Sequence, residues 1–268
     1  MLGAFALLHP PAGTYTLPAL RHPTLLFVLR GALAVQPPDS ADAAPLPLGR
    51  AGLCGATRQA RRVCASPGTR LLLAAVRPGQ LQRLLGITAE EVLDAFLPLQ
   101  HLQSAAASLL DALHTVASDA DADAGAAITS FLARCAAEYR HHAAGLAVPD
   151  DQLNVPVSQL AAAFNLSLRQ FERRFRQSHG QSLRAWRAHT RHNAMLCATL
   201  QGRPGPHDWR DLQASGDYAD QAHLCRAAQR FAGYSPGELS RRVEADPALW
   251  LFRQPLPLVA QVFDGAVF

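Results

Sequence analysis

The stretch that most limits what this chain can fold into runs from Val157 to Trp186, VSQLAAAFNLSLRQFERRFRQSHGQSLRAW. Leu160, Ala161 and Phe164 fall on one apolar stripe and Leu168, Phe171 and Phe175 on another, both at helical spacing, so the pattern predicts two helices. Ser158 is placed to cap the first helix, and Ser167 with Gln170 forms a capping box for the second. Between them stands Asn165, which tolerates positive φ and can close a tight turn. Arg169, Glu172, Arg173 and Arg176 then lie opposite the two phenylalanines, a face suited to a major groove. A helix-turn-helix is the simplest reading. The bland alternative for Arg173 is a solvated side chain, or one paired with Glu172.

The pattern returns fifty-three residues later. Ser167 is matched by Asp220, Phe171 by Leu224, Arg173 by Arg226, Gly180 by Gly233 and Ser182 by Ser235. A short helix capped by Asp208 and carrying Trp209 and Leu212 introduces the second copy, with Asp217 and Tyr218 in the turn. Its recognition helix runs from about Asp220 to Phe231 and presents Gln221, Ala222, Cys225 and Arg226. Ser235, Pro236 and Glu238 read as a cap, a first-turn proline and a capping-box glutamate.

The strings LAAAFNLSLRQFERRF and DYADQAHLCRAAQRFAGYSP closely resemble the tandem helix-turn-helix domain of AraC/XylS-type bacterial transcription regulators. The resemblance covers roughly residues 156 to 242 and implies two recognition helices entering successive major-groove segments, joined by a long helix from Ser182 to Leu200. Carried across, it makes Arg169, Glu172 and Arg173 in the first helix, and Gln221, Cys225 and Arg226 in the second, the base-facing positions. The chain departs from the family pattern at Asn165 and Asp217, where Gly is usual, at Gln213, where Ala is usual, and at Ala228, where an aromatic is usual. A buried Phe replaced by Ala costs ~3 to 5 kcal/mol when nothing compensates, so the first unit is expected to be the firmer DNA reader.

Charge is uneven along the chain. Residues 1 to 155 carry 11 Arg against 12 acids, whereas residues 156 to 244 carry 13 against 7, which places the cationic surplus where DNA would sit. All 25 basic side chains are Arg, a forked donor that matches phosphate and guanine. The five cysteines are dispersed without a CxxC pair, and the opening MLGAFALLHPP lacks a basic n-region, which together point to reduced thiols and a cytoplasmic setting.

In the N-terminal half, Met1 to Leu20 reads as irregular, TLLFVL (24 to 29) and Leu71 to Val76 as strands, and Arg58 to Val63 as a further strand. Gln36 to Pro47 reads as a proline-crowded loop. A short helix follows from Leu81 to Leu85, and Thr88 with Glu91 forms the capping box of another. The segment AAVRPGQLQRLLGI and the later FLPLQHL resemble, more loosely, the sensor-like domain of a poorly characterised group of AraC-type regulators, with an initial strand or two expected to be missing. Residues 103 to 142 are helical by periodicity. They are interrupted by SDADADAG (118 to 125), whose Asp119, Asp121 and Asp123 alternate as in a calcium loop but whose glycine falls one place late. Beyond Val243 an apolar tail broken by Pro255 and Pro257 is expected to pack back on the N-terminal domain, with a dimer contact as the alternative.

Eleven scattered histidines read as surface residues, with no metal or cofactor site, and no nucleophile, base or phosphate loop at catalytic spacing. The expected architecture is α+β: a small β-rich N-terminal domain with helices (1–142), a linker (143–155), an all-α domain of two helix-turn-helix units joined by a long helix (156–244) and an apolar tail (245–268). The expected function is a sequence-specific transcription regulator that binds double-stranded DNA and is not an enzyme. RNA polymerase, a small-molecule effector and a second copy of the chain are further candidate partners, and a membrane is not. Two alternatives stay open: a fold-retaining interaction or anti-regulator protein with weak DNA binding, and a ligand-dependent enzyme in the N-terminal half.

Overall fold

The computed structural model describes residues 2–37, 43–102, 106–115, 121–149, 152, 154–200 and 220–254. Strands β1 (Leu2–Leu8), β2 (Gly13–Leu17), β3 (Thr24–Arg30), β4 (Leu33–Val35), β5 (Leu46–Pro47), β6 (Ala51–Cys54), β7 (Arg61–Ala65), β8 (Arg70–Val76) and β9 (Phe96–Pro98) form two antiparallel sheets. One has the order β1-β8-β3-β6-β9 and the other β2-β7-β4-β5. The expected strands at 24–29 and 71–76 are present, whereas the strand expected from Arg58 begins at Arg61. The opening of the chain is ordered where its Pro and Gly content suggests irregularity. β1 gains that order from antiparallel pairing with β8, in which Leu8 faces Leu71, and not from a pattern of its own.

The run TLLFVL is apolar without alternation because both of its faces are covered. Leu26 and Val28 face the second sheet, in a core with Leu8, Tyr15, Val63 and Leu73. Leu25 and Phe27 face the other way, towards helices α1 (Leu81–Leu85), α2 (Ala106–Thr115) and α3 (Asp121–Glu138), which contribute Leu84, Leu109 and Phe131. Thr88 and Glu91 do make their reciprocal bonds, the Thr88 N–H donating to Glu91 Oε2 at 2.7 Å, but they close a turn and not a helix. Asp94, at φ 59°, ends that turn. The backbone is already helical from Asp121, which removes the loop that a calcium reading of 118 to 125 requires.

The C-terminal half is helical: α4 (Val157–Ala163), α5 (Leu168–His179), α6 (Leu183–Leu200), α7 (Gln221–Ala232) and α8 (Pro236–Arg242). A 3-10 segment, Pro247–Arg253, then lies against β2. There Leu249, Leu251 and Phe252 are buried in the core between the sheets, and the Trp250 ring sits 5.6 Å from that of Tyr15. The tail therefore packs on the N-terminal domain as far as residue 254; Pro255, Pro257 and the rest of it lie outside the described residues. The expected linker is partly buried too, since Leu146 and Val148 join the core of the first helix-turn-helix unit.

Phe252 is 2% exposed, so Phe252→Ala should lower the free energy of unfolding by ~3 to 5 kcal/mol in a urea titration. Leu46→Ala, at a residue 58% exposed, should change it by less than ~0.5 kcal/mol.

Candidate nucleic-acid interface

In the first unit α4 and α5 are joined through Asn165, whose φ of 54° makes the turn as expected. The Leu166 N–H donates to the Ala161 carbonyl at 2.9 Å and closes the end of α4. Ser158 does not cap α4: Pro156 holds that position, no side chain caps it, and the Pro156 carbonyl instead accepts from Gln159 and Leu160. The capping box of α5 forms, with Gln170 N–H donating to Ser167 Oγ at 3.3 Å and Ser167 N–H to Gln170 Oε1 at 3.0 Å. Phe164, Phe171, Phe175 and Trp186 follow one another at ring separations of 6.0, 6.0 and 6.1 Å, and this ladder fixes α5 against α4 and α6.

With Phe171 and Phe175 fully buried, Arg169, Glu172, Arg173 and Arg176 are all exposed on the outer side of α5. They share a shallow hollow with Glu90 of the N-terminal domain. Leu168 does not join the core stripe; at the first helical position it is 50% exposed. Arg173 forms no ion pair among the described residues, so the pairing with Glu172 does not occur.

The second unit is built around α7. Asp220 caps it by accepting from the His223 N–H at 2.6 Å, and Ser235 with Glu238 forms the capping box of α8 behind Pro236. Gln221 and Arg226 are exposed and Cys225 is half-buried. The helix and turn expected to precede α7, with Asp208, Trp209, Leu212, Gln213, Asp217 and Tyr218, lie outside the described residues. Ala228 is buried beside Leu224 and Met195. The Phe231 ring, three residues on, stacks on His192 at 4.8 Å and lies 4.9 Å from His189.

Those two histidines, with His22 and His179, correct the expectation of surface histidines: all four are buried. His189 and His192 stand one turn apart on the face of α6 that meets α7 and the N-terminal domain, and that spacing was the available signal in the sequence. The His179 ring stacks on Phe175 at 3.9 Å. Arg21 reaches from the N-terminal domain over the Trp186 ring and donates to Thr190 Oγ1 at 2.9 Å. Burial drives the His179 and His192 pKa values down to about 3 and that of His189 to about 4.

The N-terminal domain also supplies hydrogen-bond donors to the C-terminal ends of both recognition helices. The Ala89 N–H donates to Gln177 O at 2.9 Å and the Gly79 N–H to Ser178 O at 3.3 Å, at the end of α5. The Ala19 N–H donates to Phe231 O at 2.7 Å and the Ala60 N–H to Arg230 O at 2.8 Å, at the end of α7. Last-turn carbonyls have no partner within their own helix, so these four bonds dock each helix while satisfying it.

Residues 160–242 match the family described as a helix-turn-helix domain. Residues 160–242 thus carry an AraC-type helix-turn-helix domain. Among solved structures the chain is similar to a single-residue variant of apo ToxT from Vibrio cholerae strain SCE256, at 10% identity and TM-score 0.45 over 88% of this chain and 96% of that one. It is also similar to ToxT from Vibrio cholerae O395, at 8% identity and TM-score 0.43 over 90% and 98% of the two chains. No curated protein matches the chain. Among the described residues no helix is long and apolar enough to cross a membrane.

Two outcomes test this interface. The buried imidazoles stay neutral until the pH approaches 4 or 3, while those of the unfolded chain take up protons from about 6.5 down. Stability is therefore complete above pH 6.5 and falls with acidification, by roughly 1.4 kcal/mol per pH unit for each ring in that window. Urea midpoints between pH 7 and 5 should decline accordingly, and His192→Phe should remove one ring's share of the slope. Gly180 has φ 75°, and a Cβ there would meet Ala89 O at 2.9 Å, so Gly180→Ala should cost ~1 to 3 kcal/mol in the same assay.

Proposed function

We propose that the protein recognises a specific operator by placing α5 and α7 in successive major-groove segments roughly 10 bp apart. In this reading Arg169, Glu172 and Arg173 address bases from the first helix and Gln221, Cys225 and Arg226 from the second, with Arg176 on the phosphates. The observation that carries it is the outer face of α5, where four charged side chains stand exposed over a core pinned by Phe171 and Phe175. The exposed Leu168 adds an apolar group at the end of the helix that enters the groove first, suited to a thymine methyl. The setting is a reducing cytoplasm. The five cysteines form no disulfide among the described residues, and burial pushes the Cys54 thiol up to about 12 and that of Cys135 to about 11, which keeps both protonated and inert.

An effector, RNA polymerase and a second copy of the chain remain part of the proposal as partners. The apolar cavity between the two sheets measures about 50 Å³ and is closed on one side by Trp250 and Leu251. An apolar effector entering there would have to displace the tail. The second reading, a fold-retaining protein with weak DNA binding, draws on Ala228, which is buried at a position where the resembling family usually has an aromatic.

Selection of bound sites from a random duplex pool tests the first reading and should return a bipartite site. Arg173→Ala should then cost ~1 to 3 kcal/mol and relax preference at one base pair. A uniform loss over all sequences would move Arg173 to the phosphates, and binding that does not weaken steeply with salt would favour the second reading.

A further inference from the structure

A second basic feature lies away from the outer face of α5. Between α6 and α7 the structure has a concavity of about 640 Å³ lined by Arg184, Arg187 and Arg191 from α6, Arg226 and Arg230 from α7, and Arg58 from the N-terminal domain. No carboxylate lines it among the described residues. Asp94, which pairs with Arg58 at 2.5 Å and with Arg61 at 3.6 Å, lies outside the lining. Gln181 also lines the hollow. It is buried, 6% exposed, and its amide nitrogen has no hydrogen-bond partner among the described residues. A buried amide donor left unpaired costs free energy that an anion accepting from it would return.

Arg187 and Arg191 repel one another in this lining. Burial lowers the Arg187 pKa, and the neighbouring Arg191 charge lowers it further. Arg187 is nevertheless held in place, because its guanidinium donates to the Val155 carbonyl, and Arg230 is held by donating from Nε to Arg58 O at 3.1 Å. Forked donors fixed by the backbone of both domains, with an unpaired amide beside them, match a tetrahedral polyanion.

We propose that this concavity is a phosphate-binding site spanning the two domains, whose ligand is a phosphate group of a small phosphorylated molecule or of a DNA strand. The site shares Arg226 with the base-reading face proposed for α7, and none of its lining comes from α5. A ligand held there touches the N-terminal domain through Arg58 and the recognition helix through Arg226 and Arg230, so it joins them.

The test uses the full chain, inorganic pyrophosphate as probe in calorimetry, and a random-sequence duplex of about 20 bp in a salt series by fluorescence anisotropy. The variants are Arg184→Glu, at an exposed residue, and Gln181→Leu, with Arg134→Glu on α3 as an equal charge change elsewhere. Saturable pyrophosphate binding weakened about tenfold by Arg184→Glu and by Gln181→Leu, and unaffected by Arg134→Glu, supports the site with a small anion as its ligand. Absence of pyrophosphate binding together with a loss of about tenfold in duplex affinity for Arg184→Glu, against little change for Arg134→Glu, supports it with the DNA strand as ligand. If neither probe distinguishes Arg184→Glu from Arg134→Glu, the proposal is overturned.

Discussion

The structure depends most on four backbone hydrogen bonds that run from the N-terminal domain to the last turns of α5 and α7. A helix ends with carbonyls that its own backbone cannot satisfy, and burial makes leaving them unpaired expensive. Here the partners come from loops at Ala19, Ala60, Gly79 and Ala89. The β-rich domain thereby acts as a jig, because both recognition helices are registered against one rigid sandwich as well as through α6. Any change in that sandwich which shifts one loop alters how α5 and α7 stand relative to one another.

The same docking also bears on the second unit. The first unit holds itself with the ladder from Phe164 to Trp186, whereas α7 has Ala228 where the ladder would need a ring. On α7, Phe231 lies against His189 and His192, and its carbonyl accepts from Ala19. Neutral imidazoles serve as flat, nearly apolar packing surfaces there, which is why their burial leaves them hard to protonate.

Much of this could be read from the residues. The two recognition helices, the turn at Asn165, the long α6 and strands β3 and β8 were legible because each repeats an apolar pattern over many residues or carries a cap with one local solution. β1 and β2 were hidden by Pro10, Pro11 and Gly13, since their order comes from partners some fifty to seventy residues away and not from their own pattern. Ser158 as a cap failed because Pro156 starts the helix earlier. Leu168 failed because a first-turn residue can leave the face that the rest of the helix buries. The exposed Arg face of α5 was legible, but the concavity between α6 and α7 was not, since it is assembled from three separated segments, none of which is unusual by itself.

The 3-10 segment at 247–253 crosses back over the domain border, and this bears on how such a protein could be taken apart or recombined. By sequence the border falls near residue 155, yet the sandwich is completed by Leu249, Leu251 and Phe252 from the far side of the helical half. The N-terminal domain is consequently a discontinuous unit, closed by a strap that the chain adds only after helices α4 to α8 are made. A chimera that exchanged N-terminal halves at the linker alone would mismatch strap and sandwich, so inheritance of the two halves is tied together by seven residues at the other end of the polypeptide.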